Sequence, residues 1–198
     1  MMPRMNGYKL CKTIKEDINI SHIPVILLTA RDDRQSQISG YKNGADGYLS
    51  KPFEVEMLME LIRNRLKNRE YTKKRYLNAG LIPTPEESTI SLTDETFLIK
   101  LNSIIQENIE NSNLGIQFIC QEVGLGRSSL YNKLKALTGM GANEYISKLR
   151  IEKAITLISG TDMPFSEIAE KTGFTTPSYF STAFKQYTGE TPSQYNCL

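Results

Sequence analysis

Short polar and basic side chains recur at helical spacing in two stretches of the C-terminal half of the chain. In the second stretch, Ser178, Thr182 and Lys185 fall on one face of a predicted helix, with Ser181 beside them. The opposite face is apolar and is formed by Phe180, Ala183, Phe184 and Tyr187. Short hydrogen-bonding side chains fit the base edges of a major groove, so this front is typical of a helix that reads DNA. On this helix alone, an ordinary helical hairpin with a solvated face is an equally good interpretation.

The first stretch has the same two-faced pattern. Leu130, Leu134 and Leu137 are predicted to face inward, because they recur at intervals of three and four. The predicted outward-facing side chains are Arg127, Ser128, Asn132 and Lys135, with Tyr131 on the flank. An amide such as that of Asn132 pairs with adenine through two hydrogen bonds, and a guanidinium such as that of Arg127 binds guanine or phosphate.

Both stretches belong to an internal repeat. Residues 119–131 align with residues 168–180 at an offset of 49, so that Gly124 matches Gly173. Each copy reads as a short helix, a glycine that is free to take a positive φ, and a second helix. A helix, glycine and helix that occur twice indicate a duplicated helix-turn-helix motif.

The helix boundaries of the repeat follow from local signals. In the second copy we expect a helix at residues 165–172, and then a cap at Thr175 or Thr176 with Pro177 in the first turn of the next helix. A helix at residues 143–159 joins the two copies. At 1.5 Å per residue it spans about 24 Å, which suits a spacer between two reading helices.

The spaced residues of the second copy resemble the signature of the AraC family of transcription regulators. They read I-A-x-x-x-G-F-x-x-x-S-Y-F-x-x-x-F-K-x-x-x-G-x-T-P-x-x-Y, and the resemblance covers roughly residues 94–197. It implies an all-α domain with two helix-turn-helix motifs and a linker helix, which binds double-stranded DNA at tandem or paired half-sites. It also implies a homodimer in the intact regulator and contact with RNA polymerase. Gly126 departs from the family, which has a capping Ser or Thr there, so we expect a less firm start to the first reading helix.

The N-terminal part alternates between helical and strand patterns. Helices are predicted at residues 7–18 and 33–43, strands at 22–30 and 46–50, and a long helix from about residue 54. The first strand is a nearly continuous apolar run, as a fully buried parallel strand requires. Alternation of this length predicts a parallel α/β sheet. The predicted inward stripe of the long helix is Val55, Leu58, Ile62 and Leu66.

Three motifs in this part resemble the second half of a response-regulator receiver domain. They are M-M-P-R-M-N-G, P-V-I-L-L-T-A and G-A-D-G-Y-L-S-K-P-F, and the resemblance covers residues 1 to about 70. It implies that Thr29 and Lys51 are phosphate-site residues, that Pro52 follows a cis peptide bond, and that Tyr48 is the switch aromatic. A hydroxyl and a cation are what the oxygens of an acyl phosphate need.

One departure from the receiver pattern changes this interpretation. The family places the phosphoacceptor aspartate two residues before the M-M-P motif, and no such residue precedes it here. The resemblance then implies a truncated α/β receiver in which Thr29 and Lys51 are vestigial, from a fragment or mis-started product of a longer regulator. We expect an exposed sheet edge and an uncovered apolar face. The overall pattern is closest to the output end of a hybrid two-component system.

Charge is unevenly distributed along the chain. Residues 1–80 carry 15 Lys and Arg against 9 Asp and Glu, whereas residues 94–198 carry 9 against 11. A slightly acidic half disfavours strong non-specific attraction to phosphate. The first repeat has a local basic excess, which predicts that it supplies more of the attraction to the DNA backbone. Its cations are Arg127, Lys133, Lys135, Lys148 and Arg150, of which Arg150 is better interpreted as a structural ion pair.

Composition excludes several other classes of protein. A single histidine and three widely spaced cysteines (Cys11, Cys120 and Cys197) leave little material for a metal cluster or a catalytic triad. We therefore predict a protein that is not an enzyme and has no cofactor. With no apolar run of membrane length and no signal peptide, we also predict a cytoplasmic location.

The predicted organisation is mainly α, with three parts. They are a partial receiver at residues 1–76, a linker at 77–93, and an AraC-type domain at 94–198 that begins with a core helix. The basic run at residues 63–75 reads as a solvated helix face, with contact to DNA phosphates as the minority interpretation. The function predicted is sequence-specific DNA binding by a transcription regulator. The alternative, favoured by the acidic balance, is a protein-interaction module whose helix-turn-helix pairs no longer bind DNA.

Overall fold

The computed structural model describes residues 5–30, 34–79 and 91–195. Its N-terminal elements are α1 (Gly7–Glu16), β1 (Ile26–Thr29), α2 (Arg34–Lys42), β2 (Gly47–Ser50) and α3 (Val55–Ala79). Its C-terminal elements are α4 (Leu92–Glu107), α5 (Ile116–Val123), α6 (Arg127–Thr138), α7 (Ala142–Gly160), α8 (Phe165–Lys171), α9 (Pro177–Thr188) and α10 (Pro192–Tyr195). The predicted fold class, mainly α with a small α/β part, is confirmed.

The described residues form two compact units, neither of which is continuous in sequence. The first unit takes residues 1–98 together with 132–139, and the second takes 99–131 together with 140–198. Helices α4 and α6 therefore each contribute residues to both units. For α6, the boundary falls directly before Asn132.

The two strands of the first unit pair in parallel, as predicted. Ile26 is opposite Gly47 and Thr29 is opposite Ser50. Strand β1 is shorter than the apolar run, because Pro24 has no amide hydrogen and the amide of Val25 donates to Asp46 Oδ2 at 2.7 Å. In the described part of the chain β1 pairs with β2 alone.

Several apolar side chains of the first unit remain in contact with solvent. The prediction of a fully buried strand at β1 is wrong, because Leu28 on this strand is 42% exposed. The predicted inward stripe of α3 is wrong at its two ends, since Val55 is 71% and Leu66 is 54% exposed. Leu58 and Ile62, in the middle of the stripe, are half-buried, and so is Leu61, whose Cδ2 lies 3.0 Å from the position of a Cβ on Gly47. These exposed side chains agree with the expected uncovered apolar face.

Helix α4 begins two residues before the predicted start. The hydroxyl of Ser91 accepts the amide of Asp94 at 3.2 Å, so Ser91 provides the cap. Thr93 lies inside the helix, and its hydroxyl donates to the Lys15 carbonyl at 3.0 Å. The predicted core residues of this segment are all buried, namely Phe97, Leu98, Leu101, Ile104, Ile105 and Ile109. Most of the predicted linker, residues 80–90, lies outside the described residues.

The second unit is built on an aromatic and aliphatic core. Neighbouring rings meet edge-on or tilted, with centroids 5.3 Å apart for Phe174 and Phe180 and 5.6 Å for Phe180 and Phe184. Tyr195 packs against Phe184 at 5.5 Å. Such pairs add stability beyond the apolar area that they bury. The buried core consists of Ile151, Ala154, Ile158, Ile168, Ala169, Phe174, Phe180 and Phe184.

The thiols that the structure describes lie one in each unit. Cys11 is fully buried in the first unit, and its Sγ donates to the Asn43 carbonyl at 3.4 Å. Burial raises the pKa of the Cys11 thiol. Cys120 is buried in the second unit, whereas Cys197 lies outside the described residues. None of the helices that the structure describes has the length and apolar character needed to cross a membrane.

Candidate nucleic-acid interface

The first helix-turn-helix consists of α5, a glycine turn and α6. Gly124 takes φ 72° and its amide donates to the Gln121 carbonyl, while the amide of Leu125 donates to the Cys120 carbonyl at 3.0 Å. These bonds satisfy carbonyls that the end of α5 would leave unpaired. Nothing lies within 4 Å of a Cβ built on Gly124, so only the backbone conformation requires glycine there.

The second helix-turn-helix repeats this geometry with α8, Gly173 and α9. Gly173 takes φ 73°, and a Cβ at this residue would lie 2.2 Å from the Ile109 carbonyl oxygen. Thr176, one of the two predicted caps, accepts the amide of Tyr179 at 3.2 Å. Pro177 follows it in the first turn, where the absence of an amide hydrogen has no cost.

Helix α6 presents its predicted front to solvent. Arg127, Ser128, Tyr131, Asn132 and Lys135 are all exposed, and the leucines at 130, 134 and 137 are buried. Arg127 donates through Nη2 to Gln117 Oε1 at 3.1 Å, which directs its guanidinium along α5. Among the residues that the structure describes, the amide of Asn132 has no hydrogen-bond partner. It is therefore available to a ligand without the loss of an internal bond.

Helix α6 starts at Arg127 in spite of the glycine that precedes it. The carbonyl of Gly126 accepts the amide of Leu130 at 2.9 Å, so the first backbone bond of the helix is formed. Glycine has no side chain that could cap the first turn. The expected looseness of this helix start stays a prediction.

Helix α9 presents Ser178, Thr182 and Lys185 to solvent, and Ser181 is half-buried. The hydroxyls of Ser181 and Thr182 donate to carbonyls one turn earlier, at 3.0 Å in each case. In this state their oxygens are free to accept but not to donate. They therefore match exocyclic amino groups of adenine or cytosine better than carbonyl groups.

The apolar back of α9 differs from the predicted one at Tyr187. Phe180 and Phe184 are fully buried, but Tyr187 is 41% exposed. Its hydroxyl contacts Glu152 Oε1 at 3.2 Å. Burial of the ring and the neighbouring carboxylate raise the pKa of Tyr187 to about 12. Tyr187 therefore links α9 to α7 through its polar end.

The predicted basic excess of the first repeat is wrong for three of its five cations. Lys133, Lys148 and Arg150 are buried, and burial lowers the pKa of each of them. Only Arg127 and Lys135 of this set face solvent. The inward spacing was visible in the sequence, because Lys133 lies three residues after Leu130 and four before Leu137.

Arg150 is a structural residue, as the preferred interpretation of the sequence predicts. Its Nη2 donates to the Asn111 carbonyl at 2.7 Å, and its guanidinium lies 5.9 Å from the centre of the Phe174 ring. The same Nη2 would be 2.9 Å from a Cβ on Gly173. A carbonyl and a ring thus take the place of the expected carboxylate. No pattern in the sequence predicted that Arg150 braces the turn before α9.

Thr29 and Lys51 lie at the carboxyl ends of adjacent strands. The amide of Lys51 donates to the Thr29 carbonyl at 2.6 Å, so the structure brings the two residues together. Lys51 is exposed, and the peptide bond to Pro52 is cis, as predicted. The hydroxyl of Tyr48, the predicted switch aromatic, lies 3.5 Å from that of Tyr8.

Comparison with protein families matches both parts of the chain. Residues 119–196 match the helix-turn-helix domain of AraC-type regulators, and residues 1–63 match the response regulator receiver domain. The chain joins a receiver segment to an AraC-type helix-turn-helix domain. Both resemblances noted in the sequence are thereby confirmed.

Individual relatives are similar to the chain over different shares of their own length. The chain is 43% identical over 195 residues to a protein of Formosa agariphila named histidine kinase P4. The aligned region covers 98% of this chain but only 14% of that protein. It is 28% identical over 155 residues to the probable transcriptional regulator ycf29 of Pyropia yezoensis, covering 73% of this chain and 70% of that protein. The solved C-terminal domain of AraT, a response regulator of Geobacillus stearothermophilus, is 32% identical with a TM-score of 0.48. That likeness covers 51% of this chain and 84% of the solved one.

Proposed function

We propose that the chain is the sequence-specific DNA-binding output module of a two-component regulator. The observation that carries this proposal is the pair of exposed polar fronts on α6 and α9, the reading helices, each backed by a buried apolar face. A front of this kind is what a helix in a major groove offers to base edges. The proposed reading residues are Arg127, Ser128, Tyr131, Asn132, Lys135, Ser178, Ser181, Thr182 and Lys185.

The charges on the reading helices favour base contacts over phosphate contacts. Together α6 and α9 expose three cations, which are Arg127, Lys135 and Lys185. With so few, non-specific attraction to the DNA backbone contributes little, and affinity depends on hydrogen bonds to bases. Two motifs in one chain, or two chains in a homodimer, then supply affinity through effective concentration. We therefore propose tandem or paired half-sites.

The wider assignments are also proposals. The boundaries at residues 76 and 94, the homodimer, and contact with RNA polymerase follow from the family assignment. Thr29, Lys51 and Tyr48 are proposed remnants of a phosphate site. In the intact regulator, phosphorylation of a complete receiver would change dimerisation and so raise the effective concentration of paired DNA domains.

Footprinting of the chain against genomic fragments tests the proposed function. We expect protection of discrete sites and retention on duplex DNA that weakens as salt rises, because binding of cations to phosphates releases counterions. The matched control is a variant with Asn132→Ala and Thr182→Ala, which removes one polar group from each front. Failure of the unaltered chain to protect any site, together with retention that does not depend on salt, would reject DNA binding.

A protein-interaction module is the second candidate. Its support is the excess of acidic over basic residues at 94–198, 11 against 9, and the exposure of Tyr131 and Tyr179, each at 53%. Exposed tyrosines are common in protein interfaces. Under this alternative, the footprinting experiment gives no protection, while Tyr131→Ala and Tyr179→Ala weaken a protein complex.

A further inference from the structure

A closed polar network is buried beneath the first reading helix. The ammonium of Lys133, whose side chain is inaccessible to solvent, forms an ion pair with Asp94 and donates to Ser21 Oγ at 2.7 Å. The hydroxyl of Ser21 in turn donates to Asp94 Oδ1 at 2.7 Å. Ser21 and Asp94 are themselves buried, at 0% and 3% exposure. All three residues belong to the first compact unit.

The network joins three separate segments of that unit. Ser21 lies between α1 and β1, where its amide donates to the Asp17 carbonyl at 2.8 Å. Asp94 lies in the first turn of α4, three residues after the cap formed by Ser91. Lys133 lies on the inner face of α6. The side chains of Asn132 before it and of Lys135 after it are exposed. The ammonium of Lys133 therefore connects α6 to the segment around Ser21 and to the first turn of α4.

Stability alone does not account for this arrangement. Removal of a lysine and an aspartate from water is costly, and a buried ion pair is often no more stable than apolar side chains of the same volume. Burial lowers the pKa of Lys133 even though Asp94 opposes the shift. The Phe97 ring, 5.1 Å from Nζ, is a further contact of the ammonium. Directional bonds of this kind specify where a helix lies more than how strongly it packs.

The second reading helix provides an internal comparison. Under the offset of 50 that relates Leu134 to Phe184, Lys133 corresponds to Ala183. Helix α9 is held by apolar and aromatic packing at Phe180 and Phe184 instead. Only the first copy of the motif therefore carries a polar connection at this point of the repeat.

We propose that Lys133 is a positioning residue that makes the setting of α6 depend on the segment around Ser21. A change in that segment acts on Ser21, the network transmits it to Lys133, and the neighbouring side chains of Asn132 and Lys135 shift with the helix. The consequence for DNA rests on the proposed function; the coupling itself does not. The setting of the first reading helix is thus conditional on the segment around Ser21, whereas the second has an alanine, Ala183, at the corresponding position.

Hydrogen exchange of the full chain tests the coupling without DNA. In Ser21→Ala the ion pair remains but the bridge is lost, and we expect amides of residues 132–138 to exchange on the order of tenfold faster, together with those of 18–24. Lys133→Met leaves the carboxylate of Asp94 buried without its cation, and we expect a rise on the order of a hundredfold in the same two segments. The matched control is Lys153→Met, because Lys153 pairs with Glu110 at 3.1 Å in an exposed pair of the second unit. It should leave both segments unchanged.

A double variant separates positioning from mere stability. Asp94→Leu with Lys133→Met replaces the ion pair by apolar side chains, so we expect the chain to stay folded. In this background Ser21→Ala should no longer alter exchange in α6. Persistence of the effect of Ser21→Ala in that background would overturn the proposal, as would unchanged exchange of residues 132–138 in Ser21→Ala alone.

Binding to footprinted DNA gives a second readout. We expect Ser21→Ala to weaken contacts at the base pairs read by α6 and to leave those read by α9 in place. Equal weakening at both would contradict the asymmetry. If the unaltered chain protects no DNA, the proposed function fails, and the exchange experiment still decides the coupling.

Discussion

The side-chain amide of Asn132 on α6 gives the most specific prediction for a single residue. Asn132 is exposed and has no partner among the described residues, so its full hydrogen-bonding capacity is available to a base. For Asn132→Ala we expect a loss of about 1–3 kcal/mol in binding that is confined to particular base pairs. Binding to a set of operator variants with single base changes measures it.

The control for Asn132 is an exposed asparagine outside the reading helices. Asn113 lies in the segment between α4 and α5, and Asn113→Ala should leave affinity and sequence preference unaltered. An unchanged base preference in Asn132→Ala would remove this residue from the set that reads DNA.

His22 provides a prediction for the dependence of stability on pH. Burial is the main cause that lowers the pKa of His22 below 6.5, and the surrounding charges add to it on balance. The unfolded chain then binds more protons than the native chain below pH 6.5, so stability falls as pH decreases through this window. Since the ring is only half-buried, we expect an effect below about 1 kcal/mol. The charged groups that act on the ring are Lys133, Asp94, Arg69 and Lys15.

Urea unfolding at several pH values measures the contribution of His22. His22→Gln keeps a polar side chain that does not titrate, so the midpoint of the first unit should depend less on pH between 5 and 6.5 than in the unaltered chain. An equal pH dependence in both proteins would assign the effect to carboxylates instead.

Residue types and spacing predicted the polar fronts of α6 and α9 but not the exposure of Tyr187, and charge counting misplaced the buried cations. A lysine was assumed to be solvated, although the spacing of Lys133 and Lys148 places both on the inner faces of their helices. Their partners are far away in sequence; Ser21 is 112 residues from Lys133. A local pattern carries no information about a partner at such a distance.

Two glycines with the same backbone conformation, one in the turn of each helix-turn-helix, allow the packing of the two turns to be compared. Gly124 and Gly173 have φ of 72° and 73°, but only at Gly173 would a Cβ meet backbone, 2.2 Å from the Ile109 carbonyl oxygen. For Gly124→Ala we expect a loss of about 1–2 kcal/mol from the left-handed conformation alone. For Gly173→Ala the clash adds about 1–3 kcal/mol.

Thermal or urea unfolding of the two variants compares these costs directly. Both substitutions add one methyl group to the turn of a helix-turn-helix, so the difference between them isolates the contact with Ile109 and the bracing by Arg150. Equal losses would show that the second turn is no more tightly packed than the first.

Periodicity predicted both strands and most of the helices but not the short α10 (Pro192–Tyr195), and it was less accurate at the ends of the elements. A stripe such as that of α3 predicts burial along its whole length, whereas Val55 and Leu66 at its two ends are exposed. The start of α4 was misplaced because Ser91 and Thr93 are both capping residue types. Only the hydrogen bond from the Asp94 amide decides between them.

The small number of exposed cations on α6 and α9 predicts a shallow dependence of DNA binding on salt. If the exposed cations Arg127, Lys135 and Lys185 each contact one phosphate, the slope of log K against log salt is about −3. Lys185→Gln should then reduce its magnitude by about one. Binding measured at several salt concentrations gives the slope.

Lys67 on α3 is the matched control for the salt experiment. It is exposed and belongs to the basic run at residues 63–75. Under the solvated-face interpretation, Lys67→Gln leaves the slope unaltered. A slope well beyond −3 that falls in Lys67→Gln would instead place this run on the DNA backbone.

The arrangement of the chain into units was the part least visible in the sequence. Sequence reasoning divides a chain into consecutive segments, whereas the first unit combines residues 1–98 with 132–139. That grouping depends on contacts such as the ion pair of Lys133 with Asp94, which leave no local periodicity. The internal repeat, by contrast, was fully visible because it is a property of the sequence itself.

Each of the two units contains one buried cysteine, so the rate of thiol labelling reports how readily each unit opens. A sulfhydryl reagent reaches Cys11, at 0% exposure, only when the surrounding structure opens, and it reaches Cys120, at 9% exposure, more slowly than a solvated thiol. With Cys197→Ser to remove the thiol outside the described residues, labelling followed by peptide mapping would measure the labelling rate of Cys11 and of Cys120 separately. The opening of the two units can thereby be compared in a single sample, without the introduction of further cysteines.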